Sequence, residues 1–329
     1  MLHLSLTSKL FSSDSGLHIE ACRNRSIRKN FLIFFLYIKL VLLVLFTSCI
    51  LQPNNDPENK YLIDRIDKGI VNNSEIDEAS GIAASQANPG VIWTHNDAGD
   101  IARVFAIDEQ GQNIGQITFS DIKARDWEDI AVVPSHLDGV SYLYIGDIGD
   151  NEEHHEYVYI YRIPEPVIAL EQVPVEIKFT ETDTIILKYP DNPHNAETLF
   201  VDPVSRDIYI VTKHKEHALV FRATVPQPIS EPVLMEYVTT LNISNVTSGD
   251  ISSSGNELIL KNYNNVYSWK YTIGDPLEQV LLNSPKPLPY VPEYQGEGIC
   301  WDQSGAGYYT ISEKKKKESV HLYYYKRNL

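Results

Sequence analysis

Beyond residue 60 the chain has almost no helical periodicity. Apolar and polar positions instead alternate in short runs, separated by clusters of Gly, Pro, Asp, Asn and Ser, which is the pattern of an all-β protein. The runs recur as a unit seen five times. Its first strands are Ser80-Gly81-Ile82-Ala83, Glu128-Asp129-Ile130-Ala131, Glu197-Thr198-Leu199-Phe200, Gly249-Asp250-Ile251-Ser252 and Glu297-Gly298-Ile299-Cys300. Tight turns follow at 85–90, 134–139, 202–207, 252–256 and 302–307, rich in the residues such turns require. Second strands are read at 91–97, 142–147, 208–213, 258–262 and 308–313, and third strands at 103–108, 157–163, 219–225, 266–272 and 320–327.

Outer strands are expected at 114–120 for the first unit and at 175–179 with 184–189 for the second. They are expected at 235–241 and 278–284 for the third and fourth. The fifth unit has none, and residues 60–69 (KYLIDRIDKG) precede the first unit without a partner. The two shortfalls fit together as one blade shared by both ends of the chain. The pattern predicts an all-β β-propeller of about five four-stranded blades over residues 60–329. A solenoid or a sandwich is the alternative architecture. The 69-residue step from Glu128 to Glu197 leaves room for a sixth blade.

The first 48 residues follow a different pattern. Arg23, Arg25, Arg28 and Lys29 precede an apolar run, FLIFFLYIKLVLLVLFTS (31–48), broken only by Lys39. That is the layout of a secretory signal. It closes on Phe46-Thr47-Ser48-Cys49, which resembles a bacterial lipobox with Cys49 as the lipidated residue. The long leader suits a true start near Ile38 or Leu40. An uncleaved transmembrane anchor is the competing reading. Both place residues 60–329 outside the cytoplasm, and the lipobox reading ties them to a bacterial envelope membrane, at the outer membrane or cell surface. Residues 49–59 read as a polar, Pro-containing tether.

Charge narrows the partners. The net charge is −16. Residues 1–48 hold six basic and two acidic residues, so the remainder has 22 basic and 42 acidic ones, a net −20. Such a surface repels nucleic acid and attracts cations. Of three cysteines, Cys22 and Cys49 lie in or beside the signal. Cys300 is left alone, so the domain has no disulfide and depends on its core.

The motifs SGIAAS with THNDAGD, DWEDIA with YIGDIGDN, and QGEGI with TISE resemble bacterial extracytoplasmic propellers of the TolB-like, gluconolactonase-like and esterase-like phytase group. The resemblance covers residues 60–329 in short motifs. It implies a propeller fold. For some members of the group it implies calcium-dependent hydrolysis of phosphate esters or lactones, and for others no known activity.

The strand order itself locates a site. Adjacent antiparallel strands run in opposite directions, so the start of each first strand and the end of each second strand share one end of a blade. Ser80 to Asn96, Glu197 to Lys213 and Glu297 to Glu313 are each sixteen residues apart. Five units bring His95, Asn96, Asp97, Glu128, Asp147, Asp150, Glu197, Lys213, Asp250, Lys261, Asn262, Glu297 and Glu313 to one mouth of the channel. Crowded carboxylates need a retained proton, a lysine or a metal ion. Asn96, Asp97, Glu128, Asp147, Glu197, Asp250, Glu297 and Glu313 are a hard oxygen set suited to Ca2+. His95 keeps Zn2+ or Mn2+ open. In a catalytic reading Glu128 or Glu197 is the general base, while Lys213 and Lys261 hold an anionic group.

The plainer reading of the same ring is carboxylates bonded to backbone N–H groups that seal the channel. Trp127 is expected as a wedge between blades. GDIGDN (146–151) reads as a calcium loop or an ordinary turn, and His154 with His155 as exposed loop residues. Lys314–Lys317 reads as a solvated loop, and Cys300 as a small core residue. No G-x-S-x-G or phosphate-binding glycine loop is present. The function expected is therefore an envelope lipoprotein whose propeller binds a small anion, a glycan or a protein. The alternatives are a metal-dependent hydrolase of a small phosphoester, ester or lactone, and an inert, ion-sealed scaffold.

Overall fold

A computed structural model of the protein describes residues 65–134, 139–316 and 318–327. The signal segment, Cys22, Cys49 and the tether lie outside the described residues. Among those described, no helix is long and apolar enough to cross a membrane.

The fold is a five-bladed β-propeller. Strand β1 (Arg65–Ile70) precedes blade one, which contains β2 (Ala79–Ala84), β3 (Val91–Asn96), β4 (Arg103–Asp108) and β5 (Asn113–Phe119). Blade two contains β6 (Trp127–Val133), β7 (Tyr142–Asp147) and β8 (Val158–Pro164), then leaves the sheet for β9 (Val175–Phe179) before its fourth strand, β10 (Asp183–Lys188). Blade three contains β11 (Ala196–Val201), β12 (Ile208–Thr212), β13 (Ala218–Ala223) and, after the short β14 (Val233–Leu234), β15 (Glu236–Leu241). Blade four contains β16 (Val246–Ile251), β17 (Glu257–Asn262), β18 (Val266–Lys270), the one-turn helix α1 (Leu277–Val280) and β19 (Lys286–Leu288). Blade five contains β20 (Gly298–Trp301), β21 (Gly307–Ile311) and β22 (His321–Lys326).

The ring closes as the unpaired ends suggest. β1 pairs antiparallel with β22, from Arg65 opposite Tyr325 to Ile70 opposite His321, and so supplies the fourth strand of blade five. The innermost strands adjoin in the cyclic order β2, β6, β11, β16, β20 and back to β2. Being covered on both faces, these strands are almost continuously buried. Five apolar clusters fill the five gaps between neighbouring blades. Trp127 lies in the gap between blades one and two, edge-on to Phe119 at 6.0 Å and to His95 at 5.9 Å, so it is the expected wedge. Cys300 is a buried core residue.

Two outer-strand expectations are corrected. β9 does not join blade two but crosses back to run parallel to β5 on the edge of blade one. Its approach requires Gly115, where φ is +143° and any Cβ would stand 2.2 Å from the Val175 carbonyl oxygen. β14 similarly returns from blade three to lie parallel to β10. The returning β9 accounts for the long step between units two and three, and there is no sixth blade among the described residues. Residues 278–284 are not a strand. Leu277, Val280 and Leu281 are buried at the i, i+3, i+4 spacing of a helical face, and the outer strand of blade four is β19.

Candidate functional site

Four of the five inner strands carry a bulge at the same end: between Ala79 and Ile82, Trp127 and Asp129, Ala196 and Thr198, and Val246 and Ser248. A bulge inserts an unpaired residue and redirects its side chain. The inserted residues include Glu128, Glu197 and Thr247. In blades one, three and five a residue one or two positions past the second strand is also fixed there. The N–H groups of Asp97, Lys213 and Glu313 donate to the carbonyls of Glu78 (2.8 Å), Asn195 (3.0 Å) and Gln295 (3.1 Å). Strand ends and bulges thus deliver side chains from separate blades to one mouth.

Carboxylates dominate that mouth. Ligand oxygens of Asp97, Asp126 and Glu128 lie within 4.8 Å of one another, and so do those of Asp97, Glu297 and Glu313. Asp97 belongs to both triads. Burial, reinforced by neighbouring acids, pushes Asp126 up to about 6 and Glu313 up to about 7. Burial first and Glu197 second hold Glu128 well above the carboxylate range, and burial raises Glu297. Lys213 Nζ stands 2.8 Å from Glu197 and 3.7 Å from Glu297, over the ring of Tyr263. Burial works against its charge, but Glu197, Tyr263 and Glu297 together outweigh that and keep it firmly protonated. Burial nevertheless pushes Glu197 up to about 7 despite this partner. The Tyr263 hydroxyl donates to Glu297 Oε1 at 2.7 Å, while Glu297 Oε2 is buried with no hydrogen-bond partner.

Two other buried carboxylates, Glu165 and Asp129, are satisfied by the protein. Glu165 accepts from Trp93 Nε1 (2.8 Å), from the N–H groups of Gln86 and Ala87, and from the hydroxyls of Ser85 and Ser141. Asp129 crosses the channel below the mouth and ties three blades together. It accepts from Leu199 N–H (3.0 Å), Ser248 Oγ (3.1 Å) and Gly249 N–H (3.4 Å), as well as from Ile130 N–H. The plain sealing role expected of the ring thus falls to Asp129, one residue past Glu128.

The mouth is consistent with a hard cation. Its donors are all oxygens, the buried Glu297 oxygen lacks a partner, and a cradle beside Glu128 is kept open by a glycine. A Cβ on Gly149 would stand 2.2 Å from Glu128 Oε1 and 2.4 Å from Asp126 Oδ2. Oxygens bound to Ca2+ at 2.3–2.6 Å lie at most about 5 Å apart, which these triads satisfy.

Other expected members are placed differently. Asn96 is used structurally: its Nδ2 donates to Glu75 O and Asp100 Oδ2, and its Oδ1 accepts from Glu78 N–H. Asp147 clamps the segment before Trp127, accepting from the N–H groups of Arg125 and Asp126 and from the Tyr161 hydroxyl. Asp250 faces the other end of the channel, where it accepts from Trp301 N–H at 2.9 Å beside Ala83, Val132 and Val201. The bulge puts Thr247 at the mouth of blade four, three residues before Asp250. Lys261 is fully buried, donates to Gly296 O and lies over the Tyr290 ring. It is an internal counter-ion between Glu293 and Glu297 rather than a receptor for an incoming anion. Burial pulls it down to about 8. Asn262 caps its turn through Asn264 and Asn265 N–H. His95 is wholly buried, with Nδ1 against Asn96 O at 2.8 Å, and burial keeps it neutral. Of the lysine run, Lys315 pairs with Glu318 on an exposed loop.

Sequence reasoning missed Asp126, Tyr263 and Glu293. The first sits two residues before Glu128 in the acidic stretch DWED. The second is sixteen residues after Thr247, the spacing already seen in units three and five.

No protein-family model matches the chain, and no curated protein matches it. Among solved structures the chain is similar to a gluconolactonase from Xanthomonas campestris, at 9% identity over 80% of this chain and 88% of that one, with a TM-score of 0.45. It is also similar to the propeller of Dos1, at 10% identity over 75% of this chain and 68% of that one, with a TM-score of 0.37.

Proposed function

We propose that this chain is an exported, lipid-anchored propeller, tethered through Cys49, whose channel mouth binds Ca2+ and through it a small anionic ligand. One contrast carries the reading. Glu165 and Asp129, buried away from the mouth, are saturated by protein donors, whereas the mouth gathers two triads on Asp97 and leaves a buried Glu297 oxygen without a partner. The protein's own residues divide the work. Asp97, Asp126, Glu128, Glu297 and Glu313 hold the ion. Lys213 fixes Glu197 and adds positive charge at the mouth, and Asp129 closes the channel beneath. A ligand with a carboxylate or phosphate therefore approaches from one side only. The test is a calcium titration of the full chain followed by thermal unfolding. Wild type should gain several degrees, and Glu297→Gln should gain far less. An unfolding temperature indifferent to Ca2+ refutes the reading.

A second reading, metal-dependent hydrolysis of a small ester, lactone or phosphoester, is favoured by Glu197. It belongs to neither triad, is pinned by Lys213, and has a value near 7, suited to a general base at neutral pH. The ion would polarise the carbonyl or phosphoryl oxygen. Turnover of a lactone and phosphoester panel, lost in Glu197→Gln while the calcium-induced thermal shift persists, supports it. No turnover across the panel leaves the mouth as a binding site.

A further inference from the structure

A second cluster sits on the loop between β7 and β8, with different donors. The Asp150 side chain is 1% exposed, yet it is part of a surface turn. Its N–H donates to Asn195 Oδ1 at 2.8 Å, its carbonyl accepts from Glu153 N–H at 2.9 Å, and its Oδ2 accepts from His155 N–H at 2.7 Å. These bonds hold the carboxylate in place and leave Oδ1 buried with no hydrogen-bond partner. The atoms facing Oδ1 are ring nitrogens: His154 Nδ1 at 3.5 Å and His155 Nε2 at 4.0 Å. The two imidazoles lie with centroids 4.0 Å apart, and the three candidate ligand atoms all fall within 4.8 Å of one another.

We propose that Asp150, His154 and His155 form a transition-metal site, best matched to Zn2+, separate in ligand chemistry from the acidic mouth. Two imidazole nitrogens and one carboxylate oxygen select a borderline metal over Ca2+. Around a tetrahedral Zn2+ with bonds of about 2.0–2.1 Å, ligand atoms stand roughly 3.3 Å apart, so small side-chain rotations of the histidines close the site. Its least mobile ligand, Asp150, is already held by two backbone hydrogen bonds and one to its carboxylate. The His154 side chain is 62% exposed, so an ion enters from solvent, and a fourth position stays open to water or to a ligand atom. The inference does not depend on the calcium reading, because the two sites share no residue.

The test uses the full chain in detergent, stripped with a chelator, then titrated with ZnCl2 by calorimetry and with CoCl2 by visible absorption. We expect one Zn2+ per chain at micromolar affinity or tighter, and cobalt bands of a four- or five-coordinate nitrogen–oxygen site. A His154→Ala/His155→Ala double variant, altered only at solvent-reached side chains, should bind at least a hundredfold more weakly, and excess Ca2+ should leave wild-type Zn2+ binding unchanged. No saturable Zn2+ binding overturns the proposal. So does equal affinity in the double variant, or displacement of Zn2+ by Ca2+, which would assign the ion to the mouth.

Discussion

Replacing Lys213 with Met tests whether the mouth is held together by charge. Lys213 bridges Glu197 and Glu297, whose side chains are each 4% exposed, while its own is 23% exposed. Removing one partner of a fully buried ion pair costs about 3–5 kcal/mol, and the partial exposure of the lysine lowers the expectation to about 2–3 kcal/mol. For a domain of this size that corresponds to a drop of roughly 5–10 °C in unfolding temperature. Met keeps most of the aliphatic stem, so packing loss is small. The cost must depend on pH. Glu197 is raised in the folded protein to about 7 from 4.5, so its contribution is most favourable below the unfolded value and declines as pH rises through about 7. At pH 5 it is protonated in both proteins and the variant loses little. Above pH 7 the wild type ionises it beside Lys213, the variant cannot do so cheaply, and the penalty opens. Differential scanning calorimetry in chelator at pH 5 and pH 9 reads this directly. Added Ca2+ should recover more stability in the variant than in wild type, because the mouth has lost a competing cation. An equal loss at both pH values would mean that the stem, not the charge, stabilises the mouth, and the electrostatic reasoning would fail.

Two further outcomes test other parts of the structure. Asp129→Ala strands the Leu199 and Gly249 N–H groups and the Ser248 hydroxyl in the channel, and should cost about 3–5 kcal/mol in urea unfolding. A loss below about 1 kcal/mol would show that the channel floor does not depend on it. Cys49→Ala should move the expressed protein from the membrane fraction to the soluble one if the lipobox is processed, and unchanged membrane association would favour the transmembrane alternative.

Much of the propeller was legible because a blade is local. Each unit needs strand, turn and strand in sequence, and alternation together with turn residues reports all three. The shared fifth blade was also legible, as two unpaired ends. The mouth was legible where the sixteen-residue spacing applied, which gave Glu197 with Lys213 and Glu297 with Glu313. It was misread in blade four. There the turn SSSGN invited an alignment on Gly249-Asp250, whereas the hydrogen-bond register starts at Val246 and bulges at Thr247. A bulge adds a residue without any compositional mark, so side chains beyond it change direction unannounced.

By itself, then, the amino-acid order determined the strands, their turns, the five-fold repetition and the acidic character of the strand ends, since each depends on residues close together in the chain. Only the tertiary structure decided that β9 and β14 pair with preceding blades, and that Lys261 is enclosed while Lys213 reaches the mouth. It also decided that Asp129 plugs the channel and that Asp126 joins Asp97. These outcomes depend on which blade stands beside which and on how much water each side chain keeps. Neighbourhood and solvent access arise only when the ring closes.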